Sequence, residues 1–197
     1  MKTIYILLIT ILFSSTSIAQ SPVVDIENKP SFRETVTNTY YKDINNFMNP
    51  FVGTWIYTNG NTSFKIVLVK ETMQYTGEHY TDYITGEYQY SENGTEIANT
   101  LSNTDQYEVG INGNSLLKPE HRPICTDCPA NERRVQVSIF DNISGLSGKF
   151  TLKLTTANGQ PAIEGFIYGN APVIVEGNPP AYTEMVIPTG TFTFIKQ

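Results

Sequence analysis

Lys149-Phe150-Thr151-Leu152-Lys153-Leu154-Thr155-Thr156-Ala157-Asn158-Gly159 is the stretch that decides the fold class. Phe150, Leu152 and Leu154 alternate with Lys149, Thr151 and Lys153. Successive side chains of a strand point to opposite faces, so a period of two sends one face into a core and the other into water. Asn158-Gly159 follows, and this dipeptide tolerates the positive φ at both central positions that a type I′ hairpin turn requires.

The same two signals recur in both directions along the chain. Phe64, Ile66 and Leu68 alternate with Lys65 and Val67, and Tyr88 and Tyr90 with Glu87 and Gln89. Val135, Val137 and Ile139 alternate with Arg134, Gln136 and Ser138, and Phe192 and Phe194 with Thr191 and Thr193. Asn59-Gly60, Asn93-Gly94 and Asn112-Gly113 are further hairpin signals. Counting runs between turns predicts about eight to ten antiparallel strands joined as consecutive hairpins. A meander of that length must dispose of two edges, so an up-and-down β-barrel is favoured over an open sandwich. Prolines take residues 117–134 and 169–180 out of the sheet as two long loops.

Upstream of the strands the pattern differs. Ile4 to Phe13 is apolar except for Thr10, follows Lys2, and leads to Ser17 and Ala19 at the minus-3 and minus-1 positions of a cleavage site. Residues 1–19 therefore read as a signal peptide cut at Ala19-Gln20, too short in its apolar part to span a bilayer. Residues 20–40 read as a flexible polar lead-in, with a capping box at Ser31 and Glu34. Spacing of Tyr40, Ile44, Phe47 and Met48 predicts one short helix within residues 41–48, stopped by Asn49-Pro50. Residues 41–197 form the barrel domain.

The chain of 197 residues carries 13 basic and 19 acidic residues; loss of Lys2 with the leader leaves a net charge of −7. That sign argues against nucleic acid, whose phosphates demand clustered Lys and Arg. Cys125 and Cys128 are the two cysteines. In an oxidising compartment they are expected to form a disulfide that pins a loop rather than holding the fold. Localisation is expected to be secreted or periplasmic.

Catalytic patterns do not emerge. Ser144-Gly145-Leu146-Ser147-Gly148 fails the G-x-S-x-G pattern because residue 149 is Lys. His79 and His121 stand in different segments, so no metal set is implied and no cofactor is expected. His79, between Glu78 and Tyr80, reads as a strand-surface residue. His121 is the better candidate, because binding residues concentrate on loops held by a rigid scaffold. Tyr75, Tyr80, Tyr83, Tyr88 and Tyr90 could line a ligand face, although Tyr also fills half-buried strand positions through its β-propensity.

Phe51-Val52-Gly53-Thr54-Trp55 opens the first clear strand. It resembles the G-x-W start of the lipocalin and fatty-acid-binding-protein barrels, where the Trp packs across one end and the interior holds a small apolar ligand. Thr81-Asp82-Tyr83 is similar to a second lipocalin motif but stands too close to Trp55, and Lys196 is a poor match to that family's basic residue near the last strand. The longer stretch from Lys42 to Trp55 resembles the KDxNN...FVGTW signature of small exported proteins of Gram-negative bacteria, a family of unknown function. That resemblance implies export and a lipocalin-like barrel, without a reaction or site residues.

Three readings follow. In the first, the chain is a non-catalytic binding module for a small hydrophobic ligand, with Trp55 closing one end, loop 117–134 rimming the other, and Tyr88, Tyr90 and His121 as contacts. In the second, a filled barrel works through its outer surface as an envelope or cell-surface interaction protein. The third, a loop-based hydrolase using Glu120, His121 and Asp127, lacks a visible nucleophile–base pair.

Overall fold

The computed structural model describes residues 21–31, 34–102, 110–169 and 180–197. The expected signal peptide, residues 1–19, falls outside them, as does most of the predicted loop 169–180. Among the described residues the alternating runs become strands: β1 (Val23–Asp25), β2 (Tyr40–Lys42), β3 (Gly53–Asn59), β4 (Thr62–Tyr75), β5 (Tyr80–Glu92), β6 (Thr95–Asn99), β7 (Ile111–Leu117), β8 (Arg134–Phe140), β9 (Ser147–Ala157), β10 (Gln160–Gly169) and β11 (Gly190–Lys196).

Eight of them close an up-and-down antiparallel barrel in the order β3-β4-β5-β7-β8-β9-β10-β11, with β11 returning to β3. Closure comes from Ile84↔Gly113, Thr85↔Asn112 and Gly86↔Ile111, which join β5 to β7. The long strand β5 also pairs with β6 near its end and, at its start, with β2. The β1–β2 and β2–β5 pairs are parallel, an addition that segments of three residues do not announce by alternation.

Asn93-Gly94 and Asn158-Gly159 form the expected turns, with φ of 51° and 78° in the first and 53° and 74° in the second. At Asn59-Gly60 the turn sits one residue later, because Asn59 pairs with Thr62 and Gly60 takes φ 57°. Asn112-Gly113 is not a turn. It lies inside β7, where the register shifts between Asn112 and Ser115. The glycine serves close approach instead: a Cβ at Gly113 would come within 2.6 Å of the Val137 Cα.

The helix expected within residues 41–48 is absent. Tyr40–Lys42 is drawn into the sheet, Asn46 takes φ 57°, and only a 3-10 turn at Asn49–Phe51 follows. The cause is Asp43, whose carboxylate accepts from the backbone N–H of Phe47 at 2.8 Å and of Met48 at 2.9 Å. Such side-chain bonds compete with a helical ladder. Ser31 and Glu34 do bond to each other, Ser31 Oγ donating to the Glu34 carboxylate at 2.8 Å, but the turn stops there. The stretch expected to be a lead-in holds β1 and a 3-10 turn at Ile26–Asn28, with Ile26 buried in the core.

Inside the barrel, Phe64 is in edge-to-face contact with Tyr88, Tyr90, Phe192 and Phe194 at centroid distances of 5.5–5.9 Å. Phe150 reaches Phe194 at 6.0 Å across β10. Gly165 permits that approach, since a Cβ there would stand 2.5 Å from the Phe150 ring and 2.9 Å from that of Phe194. Ile66, Leu68, Ile84, Ile111, Val137, Ile139, Leu152 and Ile163 fill the space between the rings.

Candidate functional site

Three of the sequence candidates belong to this packing. Trp55 is buried, and its indole N–H donates to the Phe51 carbonyl at 2.8 Å. The ammonium of Lys196, its partner in the β11–β3 register, lies 5.0 Å over the ring. The basic residue that matched poorly in sequence therefore does cover Trp55. Tyr88 and Tyr90 face the same interior, and Tyr88 donates its hydroxyl to the Phe140 carbonyl at 2.8 Å. Burial pushes both phenols above their ordinary value. A ligand carried in the interior needs room along the axis, and the described inward side chains meet one another there.

Strand direction places both ends. Trp55 stands near the start of β3, the end where β7 stops at Leu117 and β8 begins at Arg134. Loop 117–134 thus sits at the Trp55 end rather than the opposite one. An even number of strand reversals separates β3 from β8, so their starts coincide.

Two buried carboxylates tie the N-terminal segment over that end. Asp82 accepts from the Tyr40 hydroxyl at 2.6 Å, from Met73 N–H at 3.1 Å and from Asp43 N–H at 3.0 Å. Asp43, besides its two backbone partners, meets the Lys70 ammonium at 2.8 Å, and Lys70 also donates to Asn49 at 2.9 Å. Burial first, and Asp82 second, push the Tyr40 phenol well up. Behind this lock, and contrary to the surface placement expected from sequence, His79 is 1% exposed. Its ring is edge-on to Tyr41 at 5.2 Å. Thr76 Oγ1 lies 3.0 Å from the His79 carbonyl and 3.3 Å from His79 Nδ1. Nε2 is buried without a partner among the described residues.

Loop 117–134 is organised from below by Arg134, 3% exposed, whose guanidinium donates to the carbonyls of Lys118 (2.8 Å), His121 (3.1 Å) and Pro123. The Cys125–Cys128 disulfide forms as expected, with Cα atoms 5.4 Å apart. Asp127 pairs with Lys153 at 3.3 Å; its own backbone N–H and then Lys153 hold its carboxyl below the usual range. Loop and N-terminal segment are joined by an Arg133–Glu27 ion pair, and the Arg133 guanidinium lies 5.5 Å over the Phe47 ring. His121 Nδ1 accepts from the Lys118 N–H and Asp127 pairs with Lys153, so these two candidates have different partners.

Between these two structures opens a cleft of about 460 Å³. Lys29 and Ser31 border it on one side, Tyr83 and Asn114 on its floor, and His121 on the other, with Ile26 and Leu116 as apolar walls. Of the candidate residues the sequence singled out, His121 and Tyr83 lie here. Its Nδ1 accepts from the Lys118 N–H at 3.2 Å, so the neutral ring presents Nε2–H as a donor. Half-buried Lys29 has its ammonium 5.8 Å over the Tyr41 ring, and burial lowers its pKa. Lys29, Asp43, Asp82 and Arg134 escaped the sequence reading. Asp43 and Asp82 did carry a signal, the first by its place in the stretch from Lys42 to Trp55 and the second in Thr81-Asp82-Tyr83.

A family model matches residues 1–197, the whole chain. The chain belongs to DUF6705, a family of unknown function. It matches no curated protein and no solved structure. In this DUF6705 chain the stretch from Lys42 to Trp55 packs at the Trp55 end of the barrel: Asp43 holds Lys70, Met48 and Phe51 are buried, and Trp55 carries Lys196. No helix among the described residues is long and apolar enough to cross a membrane.

Proposed function

We propose that this chain is an exported, non-catalytic binding module that works through the Trp55 end of a filled barrel, not by carrying an apolar ligand inside it. The observation that supports this reading is the ring cluster on Phe64, which occupies the axis where a carried ligand would lie. Eight-stranded barrels enclose little more than their own side chains or one small ligand. What is left for recognition is the end where an N-terminal segment and a disulfide-pinned loop stand on a rigid support. The disulfide and the apolar leader support export.

The test is a titration of the mature, disulfide-intact protein with a fluorescent fatty acid, together with native mass spectrometry of protein purified from its own host. Bare protein and no saturable uptake of the probe are expected. One-to-one binding of the fatty acid, weakened by Gly165→Leu on the inner wall, would overturn the reading in favour of a carrier.

A further inference from the structure

Among the described residues, three cationic side chains are held in ion pairs. Lys70 has Asp43, Arg133 has Glu27, and Lys153 has Asp127 and, at 3.9 Å, Glu164. Arg134 donates to three carbonyls through its two terminal nitrogens, while its buried Nε has no partner among the described residues. Lys29 differs. It is half-buried at the cleft wall, and among the described residues its ammonium finds no acceptor, only the face of Tyr41. An ammonium has three N–H donors and no acceptor capacity. Partial burial of such a group without an anion is unfavourable, so an anion arriving there is bound against a deficit.

The rest of the cleft is biased the same way. His121 offers Nε2–H, and Tyr83 offers a hydroxyl with no partner among the described residues. Asn114 spends one amide hydrogen on Thr81 Oγ1 at 2.9 Å and keeps the other. Glu27, the one carboxylate on the wall, is already neutralised by Arg133. We infer that this cleft binds the oxyanion head of a small organic molecule, a carboxylate or phosphate, with Lys29 as counter-charge, His121 and Tyr83 as neutral donors, and Ile26 and Leu116 against its apolar part. The inference rests on the Trp55 end being the working end and names the chemistry recognised there. A volume near 460 Å³ is that of an ordinary small-molecule site.

The experiment uses the mature protein at fixed ionic strength, titrated with succinate and with inorganic phosphate against chloride, and followed by NMR at the Lys29 and His121 side chains. Saturable binding is expected, with chemical-shift changes at both side chains and with Lys29 titrating at higher pH in the bound state. Lys29→Gln should weaken binding at least tenfold, while exposed Lys42→Gln leaves it unchanged. Which of the two probes binds more tightly tells the carboxylate source from the phosphate source. Absence of saturable binding by wild-type protein for both probes overturns the inference without any variant. Binding unaltered by Lys29→Gln, in a variant that keeps its melting temperature, also overturns it. Either failure leaves the fatty-acid titration to judge the filled-barrel reading separately.

Discussion

Along the barrel axis one ring, Phe64, touches four others from two strands, and every contact is apolar. At the Trp55 end two carboxylates, Asp43 and Asp82, accept from three backbone N–H groups besides the Asp43–Asp82 link, from one phenol and from one ammonium. The first arrangement is non-directional and tolerates repacking. The second is directional, and its cost appears when a single member is removed. The interior should therefore set global stability, while the polar lock should set where the N-terminal segment sits.

The sharpest way to break the comparison is at Phe64. Phe64→Ala removes the hub of the ring cluster and should cost about 3–5 kcal/mol, measured by urea unfolding. A loss under about 1 kcal/mol would mean that the axis can refill, and the contrast would weaken. Asp43→Ala comes next, at about 2–3 kcal/mol, because two backbone donors and Lys70 lose their acceptor. Lys70 is 13% exposed and can turn toward water, which holds the figure below that for a fully buried pair. Its hallmark is local: hydrogen exchange should accelerate at residues 40–48 well before it does in β9 and β10.

These two regions also differ in how much of them the sequence disclosed. The interior was legible because alternation encodes facing directly; Phe64, Tyr88, Val137, Phe150 and Phe194 each point inward as the period of two demands. The lock was not, because its partners are far apart in sequence and of mixed type. Asp43 N–H meets a carboxylate 39 residues away, and Glu27 meets an arginine 106 residues away. No local pattern encodes either pairing. Asn112-Gly113 shows the converse failure. The dipeptide was a sound turn signal, yet what the site demanded was a residue without a Cβ beside Val137. His79 misled because alternation beside Glu78 and Tyr80 speaks of the barrel wall, while the N-terminal segment buries that wall from outside.

A smaller effect is expected from the disulfide. Cys125→Ser with Cys128→Ser should cost no more than about 2 kcal/mol, the loop-entropy value for so short a closure. Arg134 holds the carbonyls of Lys118, His121 and Pro123 independently of the cysteines, so the loop keeps its place. Arg134→Met should therefore disorder residues 118–133 more than loss of the disulfide does, read as proteolytic cleavage rate within the loop. Equal rates would show that the sulfur bridge, not the guanidinium, organises it.

The smallest effect lies with His79 and tests whether the N-terminal segment is held by neutrality. Burial first, and the charge of Lys29 second, lower the His79 pKa below its ordinary 6.5, while Glu78 pulls the other way. Below pH 6.5 the unfolded chain takes up a proton that the folded chain refuses, so stability is fully present above that pH and falls as the solution is acidified toward the folded pKa. The charged ring would carry a proton on Nε2, which is buried with no acceptor among the described residues. One group can tilt the stability curve by at most about 1.4 kcal/mol per pH unit. Melting temperature should accordingly drop between pH 7 and pH 5.5 in the wild type and drop less in His79→Gln, whose side chain does not titrate. If an oxyanion occupies the cleft and offsets Lys29, the wild-type drop should shrink as well. An equal drop in both proteins, with or without the anion, would remove His79 from the account and leave the carboxylates to explain the pH response.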